Sequence, residues 1–305
     1  MALPWMEPMP SELATRMRDG EQVAATAPPR RGVCRPALRI VFINLDRATA
    51  RRQFMEAQGE RLRLRFERVA AVEASGISDA LADRIGRSWE RPLTKPELGC
   101  FLSHQALWSD IAEGSAPVLV LEDDVVLSPR LTGLLEQASS VSGVDMVNLE
   151  SFDRRRFLTA ERRPLANGLA LLGVARDKSG SAAYLLWPAG ARKLLDRARR
   201  GAAPVDAFLH GLKALASFQA EPALAMQVHL LEKRGIPVPI PTATSIQVPR
   251  DRLPLTPGNL PFHLRRMATQ IRLAAEHAGR LFGHRYRLVD IVEAEFQPPA
   301  DQTRS

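Results

Sequence analysis

Ala116-Pro-Val-Leu-Val-Leu-Glu-Asp-Asp-Val-Val-Leu-Ser-Pro129 is the stretch on which the reading of this chain turns. A buried apolar strand runs directly into three consecutive carboxylates, Glu122, Asp123 and Asp124. Like charges crowded at the mouth of a buried strand raise both their mutual repulsion and their desolvation cost. A bound divalent cation removes that difficulty. Along extended backbone Glu122 and Asp124 point one way and Asp123 the other. Two carboxylates on one face suit a hard ion such as Mg²⁺ or Mn²⁺. The carboxyl end of a strand is where open α/β sheets bind ligands. The competing reading is an acidic turn, solvated and idle.

Upstream, Ala37-Leu-Arg-Ile-Val-Phe-Ile-Asn-Leu45 reads as a second buried strand. It ends in Asn44-Leu-Asp-Arg47, and a helix with Arg51, Arg52, Phe54 and Met55 follows. Basic side chains there suit a phosphate or a base edge, or simply face solvent. Residues 62–72 contain a further strand, with Leu62, Leu64 and Phe66 alternating with arginines. Residues 78–89 form a short helix. Thr94-Lys-Pro-Glu97 has capping-box spacing and opens a helix to Glu113, closed by Gly114. His104, on this helix, reads as a hydrogen-bonded structural residue.

Downstream, residues 131–138 read as a helix and Asp145–Leu149 as a strand. An arginine-rich loop carries Arg154, Arg155, Arg156, Arg162 and Arg163, either solvated or an electropositive rim. Residues 168–174 and 181–187 read as strands, and Pro188 opens a helix. Pro204-Val-Asp-Ala-Phe-Leu209 turns into another helix, which Asp206 either caps or uses to aim a carboxylate into a cleft. Residues 224–231 read as a strand or edge segment. Residues 262–288 read as one basic amphipathic helix, with Leu264, Met267, Ile271, Ala274, Ala275, Ala278 and Leu281 at helical spacing. Such a helix lies on anionic lipid, or packs with a basic outer face.

The bulk composition agrees with a globular α/β protein. The 305 residues are 45% hydrophobic and 25% charged, enough for a sizeable core. The net charge of +8 points to an acidic partner: nucleotide phosphates, nucleic acid or anionic lipid. With aromatics at 6% the chain lacks stacking platforms, so nucleic acid is not expected. Two cysteines, Cys34 and Cys100, make neither a disulfide framework nor a zinc site. No secretory leader and no membrane-spanning run are recognised. The expected location is cytoplasmic, peripheral on the inner face of the cytoplasmic membrane. The expected organisation is a disordered lead-in over 1–35, a catalytic domain over 36–250 and a basic helical tail over 251–305.

Four stretches together resemble glycosyltransferase family 25, the bacterial lipopolysaccharide and lipo-oligosaccharide glycosyltransferases. They are Ile43-Asn-Leu-Asp-Arg47 with Arg51-Arg52; Glu97-Leu-Gly-Cys-Phe-Leu-Ser-His104; Val120-Leu-Glu-Asp-Asp-Val125; and Ser181-Ala-Ala-Tyr184 through Gly190-Ala-Arg-Lys-Leu-Leu195 to Pro204-Val-Asp206. The resemblance covers roughly residues 38–210 and implies a GT-A fold, a Rossmann-like α/β/α sandwich taking a nucleotide-sugar donor. It implies that Asp124 holds Mn²⁺ or Mg²⁺ on the donor diphosphate. Glu122 would join it through water or hold the ribose, and Asp123 belongs to the same motif. Asn44, Leu45 and Arg47 would line the nucleotide pocket, and Asp206 would be the base of an inverting transfer, with a second metal contact or a substrate hydrogen bond as its alternative roles.

The expected reaction moves a sugar, galactose or a relative, from a UDP-sugar to a lipid-linked oligosaccharide or other glycan. Two readings compete. A catalytically inactive basic binding protein on the same fold would bind polyanions and no UDP-sugar. A Mg²⁺-dependent phosphohydrolase would need an Asp nucleophile where this chain has Glu122.

Overall fold

The structure is a computed structural model that describes residues 38–177, 180–242, 253–280 and 283–297. The expected lead-in over 1–35, Cys34 and Leu281 lie outside these. The elements in chain order are β1 Arg39–Asn44, α1 Thr49–Leu62, β2 Glu67–Ala70, α2 Asp79–Gly86, α3 Lys95–Glu113, β3 Val118–Glu122 and β4 Val125–Leu127. Then come α4 Leu131–Ala138, β5 Met146–Asn148, β6 Arg156–Pro164, β7 Ala170–Arg176, β8 Ala183–Leu186, α5 Pro188–Ala198 and α6 Val205–His210. The last are β9 Ser217–Glu221, β10 Ala225–Gln227, α7 Val228–Lys233, α8 Leu260–Arg280 and β11 Arg285–Arg287.

Nine strands form one mixed sheet, in the order β11-β6-β7-β9-β5-β8-β3-β1-β2. β2, β1 and β3 are mutually parallel, β8 runs against both β3 and β5, and β9 is parallel to β5. The carboxyl ends of β1, β3 and β5 and the start of β8 therefore meet on one edge of the sheet. Successive residues of the central strands enter opposite cores. Val41, Ile43 and Val120 pack with Phe101, Trp108 and Phe208, whereas Ile40, Phe42, Leu119 and Leu121 pack with Met55, Leu131 and Leu134. Burial on both faces is why these strands read as unbroken apolar runs. The result is an α/β/α sandwich around a large mixed sheet.

The Glu97-to-His104 stretch sets α3 against this sheet. Thr94 and Glu97 cap the helix reciprocally, and Arg91 holds the buried Glu97 with bonds of 2.8 and 2.7 Å. Gly99 is required by packing, since a Cβ there would meet the Val72 carbonyl oxygen at 2.5 Å. Ser103 Oγ accepts from Val72 N at 2.8 Å and donates to Gly99 O at 2.7 Å. With Gly99 and Ser103 locked on Val72, His104 is turned toward the sheet's carboxyl edge.

Four element readings change. The strand expected over 62–72 starts only at Glu67, because α1 persists to Leu62 and ends on Arg63 in the left-handed region. The arginine-rich loop is largely strand β6. Its Arg156, 1% exposed, pairs with Asp177 at 2.9 Å and reaches Gln219. Residues 224–231 divide into β10 and α7. The helix expected over 262–288 stops at Arg280, and Arg285–Arg287 pairs with β6 as the outermost strand. Tyr286 stacks there on Phe157 at 4.5 Å between ring centroids, so a sheet edge and an aromatic contact override the basic helical pattern. Phe296, beyond it, is buried against Met226, Leu230 and Leu231.

Candidate active site

The acidic triplet occupies the sheet's carboxyl edge. Glu122 is the last residue of β3, and Asp123 and Asp124 form a tight turn into β4. Register puts Ile43 of β1 beside Glu122, so Asn44 lies next to the triplet. Asn44 Nδ2 donates to Asp123 Oδ2 at 2.7 Å, and Arg68 Nε holds the Asn44 side-chain oxygen at 2.9 Å. Arg51 donates to Asp123 Oδ1 at 2.9 Å and stands 3.7 Å from Asp124. Asp123 is thereby locked to β1 and α1, and the same Arg51 nitrogen bridges toward Asp124.

β4 fixes the rest of the turn. It pairs with β10, which brings Gln227 opposite Val125, and Gln227 Nε2 donates to Asp124 Oδ1 at 3.2 Å. Gln58 of α1 bonds both Val125 O (2.8 Å) and Leu127 N (2.9 Å). Antiparallel β8 delivers Ser181, whose hydroxyl donates to Glu122 Oε1 at 2.9 Å. At the end of β5, fully buried Glu150 accepts from Ala182 N at 3.1 Å, while its other oxygen has no hydrogen-bond partner.

Electrostatics separates the carboxylates. Asp124 is 4% exposed. Burial first, then the Glu122 charge, pushes its pKa up to about 7, against Arg51 and Gln227. Glu122 is also desolvated, yet His104, Ser181 and Arg51 hold it below the ordinary carboxylate range. The two carboxylates of this coupled pair are thus pushed in opposite directions. Glu150 is raised well above the usual range by burial and by Glu122. Asp206, the second residue of α6, is raised by burial and by Glu122, and Ala207 N donates to its Oδ1 at 2.7 Å.

Behind Glu122 runs a buried chain of polar aromatics. Trp108 Nε1–H donates to the Tyr184 oxygen at 3.0 Å, and Tyr184 lies 2.8 Å from His104 Nδ1. With one lone pair used by Trp108, the Tyr184 hydroxyl keeps its proton and a second lone pair for Nδ1. His104 Nε2 faces Glu122 Oε1 across 3.7 Å. This is longer than a hydrogen bond, so the contact is electrostatic. Tyr184→Phe should strand two buried donor/acceptor groups and cost about 1–3 kcal/mol. Thermal melts with and without Mn²⁺ should show lower stability and a several-fold weaker metal response; an unchanged response would separate the chain from Glu122.

The donor set fits a hard divalent cation. Glu122 and Asp124 offer oxygen only, they are desolvated, and the nearby negative charge exceeds what Arg51 supplies. Mg²⁺ or Mn²⁺ needs one or two carboxylates, with phosphate oxygens and water completing its shell. Cys100, His104 and Glu122 also converge, with ligand atoms within 4.8 Å of one another. That trio suits a metal less. Burial and the surrounding carboxylates push the Cys100 thiol pKa well up, and His104 Nδ1 is already bonded to Tyr184.

The residues singled out in the sequence divide accordingly. Asn44, Glu122, Asp123 and Asp124 share the corner, and Asp206 faces it electrostatically. Leu45 is half-buried and accepts from Ala48 N at 2.9 Å. Arg47 is largely exposed and pairs with Glu73 at 3.1 Å. Sequence reading missed Ser181, Gln227 and Glu150, since only strand order brings them near. His104, expected to be structural, is bonded as expected but also faces Glu122.

Residues 37–209 match the family described as Glycosyltransferase family 25 (LPS biosynthesis protein). Among curated proteins the chain is 30% identical over 242 residues to the human "Inactive glycosyltransferase 25 family member 3", covering 69% of this chain and 41% of that protein. It is 32% identical over 185 residues to a glycosyltransferase 25 family member of Aedes aegypti, covering 56% of this chain and 30% of that one. It is 29% identical over 226 residues to procollagen galactosyltransferase 1-B of Xenopus laevis, covering 64% and 37%. The chain thus spans well under half the length of these relatives.

Proposed function

The chain belongs to glycosyltransferase family 25, and from that premise we propose that it is a metal-dependent transferase of GT-A type. It moves galactose, or a related hexose, from a UDP-sugar to a glycan acceptor such as a lipopolysaccharide or lipo-oligosaccharide. The observation that carries this reading is the desolvated, oxygen-only pair Glu122 and Asp124 at the sheet's carboxyl edge, with Asp206 raised by burial and by the Glu122 charge. The galactosyl choice rests on the name of the Xenopus relative, a procollagen galactosyltransferase.

Asp124 and Glu122 would hold Mn²⁺ or Mg²⁺, which when bound neutralises charge on the departing diphosphate. Asn44 and Arg51 each bond one oxygen of Asp123, which leaves Glu122 and Asp124 as the pair for the metal. Ser181 and His104 hold Glu122 ionised. Asp206 accepts the acceptor hydroxyl's proton as that oxygen bonds to the sugar's anomeric carbon. The bond to the diphosphate oxygen breaks on the opposite face, and the configuration inverts. Burial raises the basicity of Asp206 toward the working pH, which favours proton transfer.

A catalytically inactive binding protein is the second reading, because the human relative is named inactive. One screen separates them. UDP-sugars are added to the purified chain with Mn²⁺, and both melting temperature and UDP release are recorded. A donor at 100 times its Kd should stabilise the fold by about 2.7 kcal/mol and release UDP with acceptor. Stabilisation without turnover favours the inactive reading, and neither response rejects the sugar-nucleotide site.

A further inference from the structure

Helix α8 is mounted with its apolar face outward. At about 100° per residue, Leu260, Leu264, Met267 and Ile271 fall within about 60° of arc. They are 48%, 50%, 56% and 64% exposed. Ala274, Ala275 and Ala278 continue the same stripe and are exposed as well. An ordinary surface helix buries that stripe and shows its charges to water.

The opposite side, which is mainly polar, holds α8 to the body. Phe262 is buried between Arg87 and Arg265, whose guanidinium carbons lie 5.2 and 4.8 Å from its ring centroid. Arg265 donates to the carbonyls of Trp89 and Arg87 at 2.9 Å each. Arg176 donates to Leu273 O at 3.1 Å, Lys213 pairs with Glu276, and His277 packs edge-on against Phe157 at 5.0 Å. These contacts fix the helix's rotation.

We propose that α8 is an interfacial helix that seats this protein on the surface of an anionic bilayer. The exposed arginines Arg266 and Arg272 stand on the two flanks, each about 120° from the stripe centre. From there the stripe enters the acyl boundary while both guanidinium groups reach lipid phosphates. No helix among the described residues is long and apolar enough to cross a membrane, so this is a helix lying in the plane. A second copy is a poorer occupant, since it would bring two sets of flanking arginines and two chains of net charge +8 together.

The test is flotation of the full chain with phosphatidylcholine vesicles, with and without phosphatidylglycerol. Binding should require the anionic lipid and weaken with salt. Leu264→Glu with Ile271→Glu should reduce it about tenfold or more, and Arg266→Glu with Arg272→Glu should reduce it as well. All four positions are exposed, so circular dichroism and turnover of a soluble acceptor should not change. Absent binding to anionic vesicles, or binding indifferent to both pairs, overturns the proposal. So does a dimer, seen by sedimentation, that Leu264→Glu with Ile271→Glu dissociates; the face then belongs to a second copy.

Discussion

Asp124→Asn should abolish sugar transfer and, in the metal-free protein, raise the melting temperature. The two effects share one cause. Asp124 is 4% exposed beside Glu122 and Asp123. Its folded-state pKa of about 7 lies above the ordinary Asp value. The folded state is therefore penalised as pH rises above about 4, and the penalty is complete once pH passes 7. Asn removes that charge and keeps the contact with Gln227, a gain of about 1–3 kcal/mol at pH 8 once coupling to Glu122 is allowed for.

Turnover moves the other way. On the proposed reading Asn would remove one of the two carboxylates that would hold the metal, and about 4 kcal/mol of lost transition-state stabilisation corresponds to roughly 10³-fold in rate. Mn²⁺ should stabilise the wild-type chain and leave Asp124→Asn unmoved. A variant that keeps full activity, or a wild type indifferent to Mn²⁺, would sink the metal role.

Asp206→Asn should lower kcat by about 10²- to 10⁴-fold, the usual contribution of a positioned base. Donor binding should be untouched, because the proposed base would meet the acceptor and not the nucleotide. The UDP-sugar thermal shift is therefore the control that a merely structural defect would fail. In the wild type, burial and Glu122 raise the Asp206 pKa. The rate should fall as pH drops through that raised value, placing the acid limb above the ordinary Asp range. A loss of less than tenfold, or an acid limb that persists in Asp206→Asn, would remove Asp206 as the base. Asp124 and Glu150 are raised as well, but Asp124 is assigned to the metal and Glu150 is fully buried and bonded to Ala182 N.

Local chemistry made much of the frame readable. β1 and β3 are apolar on both faces, Thr94 to Glu97 caps its helix, and Pro188 opens another. These signals lie within a few residues and need no partner. Long-range pairing defeated the same reading at β6 and β11, where arginine-rich segments became strands because each completes the other's backbone hydrogen bonds. The basic pattern of residues 285–287 could not reveal an open sheet edge more than a hundred positions earlier.

By itself, the sequence determined that three carboxylates end a buried strand, since residue type and strand periodicity are local properties. Only the tertiary structure decided which acid is raised and which is held low, because that depends on Ser181, His104, Arg51 and Gln227 arriving from four other parts of the chain. It also decided that α8 turns its apolar stripe outward. A helical repeat defines a face, and the contacts made by Phe262, Arg265 and Glu276 determine which way that face looks.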